Sequence, residues 1–237
     1  MPETRLPPRA VLFDKDGTLL DYWASWGPVN RAAVALAADG DTALAARLFR
    51  VGGVDDSGRA ASAGSLLAAG SAHDIARIWV AAGARFTVPA LTRALDELFR
   101  ASVADMVPVG DLPDILGRLR RRGLVLGIAS SDGEAAIRLT VERFGLGELI
   151  AFVAGYDSGH GPKPEPGMVH AFCRAVGVTP AEVAMVGDTL HDLEMGAAAG
   201  CGLKIGVLTG TGTRDVLAEA ADLVLDDIAA LEAALFG

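Results

Sequence analysis

Acidic residues directly follow two apolar runs of the sequence. Asp14 and Asp16 come after the run AVLF, and Asp188 and Asp192 come after the run VAMVG. Carboxylates that meet in one crevice repel each other unless a cation lies between them, and Mg²⁺ takes such ligands together with water and phosphate oxygens. A carboxylate beside a cation can also act as a nucleophile, and a second carboxylate two residues later can move protons. This spacing predicts a magnesium site with a reactive carboxylate.

Two further segments carry groups that suit an anion. Ser130 and Ser131 follow the apolar run LVLGIA and precede a helical pattern, where a hydroxyl and backbone N–H groups can bind an anion. Lys163, in the segment GPKPEP, is a point charge suited to a phosphate oxygen. Each motif alone is also typical of a turn or a helix cap. Because all of them occur in order after apolar runs, together they predict a phosphoryl site.

The predicted secondary structure explains how these residues could meet. After a first apolar strand, residues 22–103 are Ala-rich and helical, and beyond residue 105 short apolar runs alternate with amphipathic helical patterns. Such alternation predicts an α/β fold with a doubly wound parallel sheet, whose ligands bind at the carboxyl ends of the strands. We predict a catalytic core of residues 1–21 and 104–237. Residues 22–103, called the cap segment below, are predicted to form an inserted all-helical domain over the crevice.

Composition and charge disfavour several classes of protein. The 237 residues carry a formal net charge of -9, and the basic run RLRRR is short, which disfavours nucleic-acid binding. No apolar stretch reaches about 18 residues, so no membrane span is expected. The N-terminal residues lack the pattern of a secretory leader, and Cys173 and Cys201 are isolated, as in reduced core cysteines. These features predict a cytoplasmic protein, and nothing in the sequence indicates an oligomeric state.

The motifs resemble those of the haloacid dehalogenase (HAD) superfamily. FDKDGTL, GIASSD, KPEP and VGDTLHD are similar, in this order, to its four motifs, and the resemblance covers the whole predicted core. The chain looks like the phosphoglycolate-phosphatase-like branch, in which a helical (C1-type) cap follows the first motif. The resemblance implies the Rossmann-like HAD core and Mg²⁺ as cofactor. One departure is Ser131, where many relatives have Asn.

The resemblance also implies a role for each motif residue. Asp14 would be the nucleophile and a metal ligand, and Asp16 the general acid and base, with its backbone carbonyl at the metal. Thr18 would support the first motif. Asp188 would be a metal ligand and Asp192 a second ligand or an outer partner. The residues implied to bind the phosphoryl group are Ser130, Ser131 and Lys163.

The reaction implied by the resemblance is Mg²⁺-dependent hydrolysis of a small phosphorylated metabolite through an aspartyl-phosphate, with a phosphoglycolate-like substrate as the default. Haloacid dehalogenases lack the second Asp of the first motif, here Asp16. Phosphonatases use a cap lysine, and the cap segment contains none. A nucleotide-like, sugar or natural-product phosphate stays open, as do a sugar phosphomutase and a non-catalytic HAD-fold binding protein. Neither nucleic acid nor membrane is an expected partner.

Substrate contacts are expected from the cap segment and from one loop of the core. Trp23 and Trp26 could form an apolar wall or simply pack in the core. Asp56 and Arg59 lie in a Gly-rich stretch that predicts either a substrate-reading loop or a solvated turn. His160, three residues before Lys163, could contact the leaving group or lie on the surface. No function is assigned to Lys15, one of only three lysines.

Overall fold

The computed structural model describes residues 7–55 and 64–237, and in them six parallel strands form one sheet. The strands are β1 (Ala10–Phe13), β2 (Val125–Ala129), β3 (Ile150–Ala154), β4 (Val183–Gly187), β5 (Leu203–Val207) and β6 (Leu223–Leu225). Their order is β3-β2-β1-β4-β5-β6. The direction of winding therefore reverses between β1 and β4, where doubly wound sheets bind ligands. The predicted α/β fold is confirmed.

Helices cover both faces of the sheet, because alternate residues of a strand point to opposite sides. The helices from the core sequence are α6 (Leu112–Arg121), α7 (Glu134–Arg143), α8 (Gly167–Val176), α9 (Leu190–Ala199), α10 (Arg214–Ala218) and α11 (Leu231–Phe236), and those before them are α1 (Tyr22–Ala38), α2 (Thr42–Gly52), α3 (Leu66–Ala69), α4 (Ala72–Ala81) and α5 (Val88–Ser102). Val11 and Phe13 of β1 pack with α6, α7 and α11, whereas Ala10 and Leu12 pack with α8 and α9.

Helices α1 to α5 lie in the cap segment and form most of one apolar cluster, to which Leu20 and Met106 also belong. Trp79, Leu91 and Leu95 are fully buried in this cluster. Asp21 caps α1 by accepting a hydrogen bond from the backbone N–H of Ala24, and Asp41 caps α2 in the same way. The exact division between core and cap segment stays a prediction. None of the described helices is both long and apolar enough to cross a bilayer.

The cap segment leaves and rejoins the core at neighbouring points. The backbone N–H of Asp21 donates to the carbonyl of Val107 (2.8 Å), and that of Val109 donates to the carbonyl of Leu19 (3.0 Å). The N–H of Val107 also donates to the hydroxyl of Ser25 on α1 (3.0 Å). Since Asp21 lies just beyond the carboxyl end of β1, α1 begins directly at the winding reversal.

A second contact joins the cap segment to the core farther away, at α5. The hydroxyl of Tyr156, in the loop after β3, lies 3.0 and 3.2 Å from the two carboxylate oxygens of Asp96. Burial raises the pKa of Asp96 to about 6; Asp132 and Asp157 add to the rise, and the hydrogen bond from Tyr156 opposes it. The carboxyl group of Asp96 is therefore protonated at a higher pH in the folded protein than in an unfolded chain.

This shift predicts a pH-dependent contribution to stability. Between about pH 4 and about pH 6 the folded state binds more protons at Asp96 than the unfolded state, so this contribution falls as pH rises through that range. The free energy of unfolding of Asp96→Asn, measured with urea at a series of pH values, should therefore rise relative to that of wild type over the same interval. Asp105→Asn, at an exposed position, serves as control. Parallel wild-type and Asp96→Asn profiles would contradict the assignment.

Candidate active site

Three buried carboxylates meet at the carboxyl ends of β1 and β4. One oxygen from each of Asp14, Asp188 and Asp192 lies within 4.8 Å of the others. Asp14 follows β1, and its backbone N–H donates to Val186 of the neighbouring strand (2.8 Å). Asp188 directly follows β4, and Asp192 lies in the first turn of α9. The parallel pairing of β1 with β4 thus brings together residues that are far apart in sequence.

Each carboxylate is held by its surroundings. The N–H of Thr211 donates to Asp188 Oδ2 (2.8 Å), and the N–H and hydroxyl of Thr189 donate to Asp192 Oδ2 (3.1 and 2.7 Å). Gly17 has φ +86°, and a Cβ there would lie 2.5 Å from Asp188 Oδ2. Only glycine fits this position, because it both adopts the positive φ and leaves room for the carboxylate.

Lys163 joins two of these carboxylates. Its Nζ lies 2.5 Å from Asp14 Oδ1 and 2.6 Å from Asp192 Oδ1, and its side chain is 3% exposed. Burial alone would lower the pKa of Lys163, but Asp14 and Asp192 outweigh it and hold the pKa above its ordinary value. Lys163 is therefore a fixed positive charge at the floor of the site. An ammonium group has three donor hydrogens, so one stays available for a ligand.

The carboxylate cluster carries more negative charge than Lys163 neutralises. Burial raises the pKa of Asp14 to about 7, with Lys163 opposing and Asp192 adding to the rise. Burial, together with Asp14 and Asp192, raises the pKa of Asp188 well above its ordinary value. A divalent cation would relieve this repulsion, and an all-oxygen donor set is the kind that Mg²⁺ takes. These residues therefore fit Mg²⁺.

A second buried ion cluster lies beside the first. Lys15 is fully buried; its Nζ contacts both oxygens of Asp16 (2.8 and 2.7 Å) and one oxygen of Asp132 (3.1 Å). Burial would lower the pKa of Lys15, but Asp16 and Asp132 hold it above the ordinary value. The indole Nε1 of Trp26 donates to Asp16 Oδ1 (2.9 Å), and Lys15 Nζ lies 5.8 Å from the Trp26 ring centre. Lys15 and Trp26 together fix the Asp16 carboxylate.

Ser130 and Ser131 follow β2, as the sequence analysis expected. Ser130 is 2% exposed, and its hydroxyl oxygen accepts a hydrogen bond from the N–H of Asp132 (3.1 Å). The hydroxyl hydrogen of Ser130 is therefore still available to donate. Both serines border the same pocket as Asp14, just before α7 begins. This arrangement places a hydroxyl donor near the carboxylates.

A single pocket connects these groups with the cap segment. It contains about 580 Å³ of empty space, part of it open to solvent. Its floor is formed by the carboxylates, Lys163 and the two serines, and its opposite wall by α1, α3, α4 and α5 of the cap segment. The predicted motif residues that border it are Asp14, Asp16, Ser130, Ser131, Lys163, Asp188 and Asp192.

The residues expected to contact substrate fall into three groups. Trp26 borders the pocket. Trp23 does not: it is 45% exposed, and its Nε1 donates to the carbonyl of Gly210 (3.0 Å), outside the pocket. His160 does not border the pocket either, and its ring stacks on Phe152 of β3, with ring centres 6.4 Å apart. Asp56 and Arg59 lie outside the described residues.

Several residues in or beside the pocket were missed by the sequence analysis. Asp132 is the last residue of the second motif, and Lys15, which contacts Asp16 and Asp132, is a rare lysine inside the first. His191 lies within the fourth motif but was assigned no role. Asn30 is a fully buried polar residue of α1 that borders the pocket. Two features of the sequence could have drawn attention to two of them: lysine is rare in this chain, and Asn30 is a single amide side chain within an Ala-rich helix.

Comparison with known proteins agrees with this geometry. Residues 8–200 match the family model of the haloacid dehalogenase-like hydrolases. The phosphoglycolate phosphatase of Rhodospirillum rubrum is 33% identical, with the match covering 94% of this chain and 89% of that protein. A protein of Dickeya dadantii called "Probable phosphatase IndB" is 35% identical over 59% of this chain and 62% of its own length.

The solved structures with similar folds include that of CbbY from Rhodobacter sphaeroides in complex with phosphate. It superposes with a TM-score of 0.73 at 20% identity, over 96% of this chain and 99% of that one. At this identity the likeness concerns the fold alone. Taken with the family match, the chain belongs to the haloacid dehalogenase-like hydrolases. The sequence-based predictions of the superfamily and of an enzyme of the phosphatase class are confirmed.

Substitution of Lys15 tests whether its ammonium group stabilises the two buried carboxylates that it contacts. Lys15→Met would leave Asp16 and Asp132 buried side by side without a cation, which should lower the free energy of unfolding by about 3–5 kcal/mol. Lys204→Met is the matched control, because Lys204 pairs with Asp222 near the surface, and such a pair contributes about 1 kcal/mol or less. Urea unfolding measures both. Equal losses in the two variants would show that Lys15 is not the centre of a buried ion cluster.

Proposed function

We propose that this protein hydrolyses phosphate monoesters of a small metabolite by way of an aspartyl-phosphate on Asp14. The observation that supports this most is the position of Asp14 at the floor of the pocket, with Lys163 bound to its Oδ1. None of the described residues donates a hydrogen bond to Asp14 Oδ2, so this oxygen is free to attack phosphorus. The site thus combines a nucleophile and a fixed positive charge.

In the first step, Asp14 Oδ2 forms a bond to phosphorus while the bond from phosphorus to the ester oxygen breaks. Asp16, whose carboxyl group borders the pocket two residues along the chain, enters this step as the carboxylic acid and gives its proton to the leaving oxygen. The third ammonium hydrogen of Lys163 and the hydroxyl of Ser130 bind oxygens of the transferred group, with Ser131 beside them. These donors offset charge on the phosphoryl oxygens as it is transferred.

In the second step, water attacks phosphorus and the bond to Asp14 breaks. Asp16, deprotonated by the first step, accepts the proton of this water. Inorganic phosphate and a free Asp14 carboxylate result, so the protein ends as it began. Lys15 and Trp26 hold Asp16 in place throughout, because both donate to its carboxylate.

Mg²⁺ would be held by Asp14, Asp188 and the backbone carbonyl of Asp16, with Asp192 as a further ligand or an outer partner. When bound, it would neutralise negative charge shared by the carboxylates and the phosphoryl group. The raised pKa values of Asp14 and Asp188 support this assignment, since burial and the neighbouring carboxylates together disfavour their negative charge in the absence of a cation.

The substrate is a small phosphorylated metabolite in this proposal. A phosphoglycolate-like substrate is the default suggested by the branch of the superfamily, and the name of the Rhodospirillum rubrum relative supports it. A cytoplasmic location also stays a prediction. The residues of the cap segment that face the pocket select the leaving group of the substrate in this proposal.

The mechanism is tested by phosphate release from phenyl phosphate. Asp14→Asn keeps the shape of the side chain but removes the nucleophile, and should lower the rate by roughly 10³-fold or more. Asp114→Asn, on the exposed surface of α6, should leave the rate unchanged. Chelation with EDTA should abolish turnover, and added Mg²⁺ should restore it.

A second readout concerns the covalent intermediate itself. After rapid acid quench, mass spectrometry should find a phosphoryl group on the peptide that contains Asp14, and none in Asp14→Asn. Normal turnover by Asp14→Asn, or turnover that persists after complete removal of divalent metal, would overturn the proposal.

A further inference from the structure

The wall of the pocket that faces the carboxylates carries almost no charge. Among the described residues that border the pocket, the basic side chains are Lys163 and His191, and there is no arginine. Lys163 is already bound to Asp14 and Asp192. The acidic residues of the lining are Asp14, Asp16, Asp132, Asp188 and Asp192. In the described part of the lining, no fixed cation is available to bind a second anionic group of a substrate.

The same wall is largely apolar. Trp26 and Phe99 meet edge to face, with ring centres 5.1 Å apart, and Leu67 and Ile75 lie beside them. All four side chains are at least nine-tenths buried. A surface of this kind is stabilised by covering it with another apolar surface, since this removes water from both. The leaving group that fits here has an apolar or aromatic body.

One polar group interrupts the apolar wall. Asn30, on α1, is fully buried and borders the pocket. Its Nδ2 points to the hydroxyl of Tyr22 (3.5 Å), which itself donates to the carbonyl of Leu67 (3.1 Å). Because the hydroxyl hydrogen of Tyr22 is used on Leu67, Tyr22 can only accept from Asn30, and this fixes which end of the amide is nitrogen.

This orientation leaves Asn30 Oδ1 buried with no hydrogen-bond partner among the described residues. An unpaired buried acceptor is unfavourable, so a ligand that donates to it gains more than it would from an apolar contact. Nδ1 of His191, on the other side of the pocket, is also buried and unpaired within the described chain. The polar group of the wall is thus an amide, with an imidazole on the opposite side of the pocket, and together they do not form a built anion site.

We propose that the substrate is the phosphate monoester of an uncharged alcohol, with a largely apolar or aromatic body and a hydroxyl or N–H group that donates to Asn30 Oδ1. This inference rests on the proposed phosphatase function and narrows its substrate class. It departs from phosphoglycolate, whose carboxylate would face a wall without a described cation and near five acidic side chains.

The charge of the leaving group is tested with a matched pair of esters. Phosphoglycolate and 2-hydroxyethyl phosphate have the same length, and differ in having a carboxylate or a hydroxymethyl group. The value of kcat/KM should be at least about tenfold higher for 2-hydroxyethyl phosphate, because like charges in one site are strongly disfavoured. A preference of similar size for phosphoglycolate would overturn the proposal, and loss of that preference in Arg59→Gln would identify the residue responsible.

The hydrogen bond to Asn30 is tested with larger esters. Derivatives of 2-phenylethyl phosphate with a hydroxyl group at position 3 or 4 of the ring carry a hydrogen-bond donor. Derivatives with a methyl group at the same positions do not. In Asn30→Leu, kcat/KM for the better hydroxy isomer should fall by about tenfold, the worth of one hydrogen bond, while the methyl esters change little. Ser25→Ala is the matched control: it removes a hydrogen bond on the same helix away from the pocket and should leave the hydroxy-to-methyl ratio unchanged.

The outcomes separate this inference from the proposed function. If none of the esters releases phosphate, the phosphatase proposal itself fails. If all are hydrolysed but the hydroxy-to-methyl ratio of kcat/KM is the same in wild type and Asn30→Leu, the phosphatase stands and the assigned leaving group is wrong. The rise in melting temperature when inorganic phosphate is added should be the same in Asn30→Leu as in wild type. This measurement checks that the part of the site that binds phosphate is intact.

Discussion

The ammonium group of Lys163 is the interaction on which the arrangement of the site depends. It lies between Asp14, which follows β1, and Asp192, which belongs to α9. Without it, three buried carboxylates would face each other with no positive side chain among them. The strand order makes this contact available, because the winding reversal leaves a crevice into which the loop after β3 can extend. The fold and the site are therefore linked through the two ion pairs of one lysine.

A second lysine plays a comparable part for Asp16. Lys15 is buried between Asp16 and Asp132, and its positive charge offsets part of the repulsion between two carboxylates in the loops after β1 and β2. Asp14 and Asp16, the proposed nucleophile and proton-transfer residue, therefore have different lysine partners: Lys163 binds Asp14, and Lys15 binds Asp16. Trp26 connects this second cluster to the cap segment through its indole N–H. The wall of the pocket formed by α1 and the carboxyl group of Asp16 are thereby in direct contact.

Much of this could be predicted from sequence, for physical reasons. The strands are short apolar runs followed by polar residues, a local pattern, and parallel pairing then necessarily brings Asp14 and Asp188 to one edge.

The lining of the pocket by the cap segment could not be predicted in this way. Helix α1 is apolar on several sides, so its periodicity does not show which face meets the core. Trp23 and Trp26 illustrate this: they are three residues apart, yet one borders the pocket and the other binds Gly210. The partners of Lys15 were hidden for a different reason, since the contact with Asp132 depends on strand pairing rather than on sequence distance.

The hydrogen bond between Asp21 and Val107 has a consequence for how such a chain can change. Because the cap segment leaves and returns at adjacent points, β1 pairs with its neighbours as though the intervening residues were a short loop. The register of β1 against β2 and β4 depends on those strands alone. Substitutions at Asn30 or Phe99 can therefore reshape the wall that faces the leaving group while the carboxylates keep their positions. Apart from Trp26, which donates to Asp16, the residues proposed for the chemistry lie in the core sequence, whereas those proposed to form the wall around the leaving group lie in the cap segment. One set can therefore diversify while the other is retained.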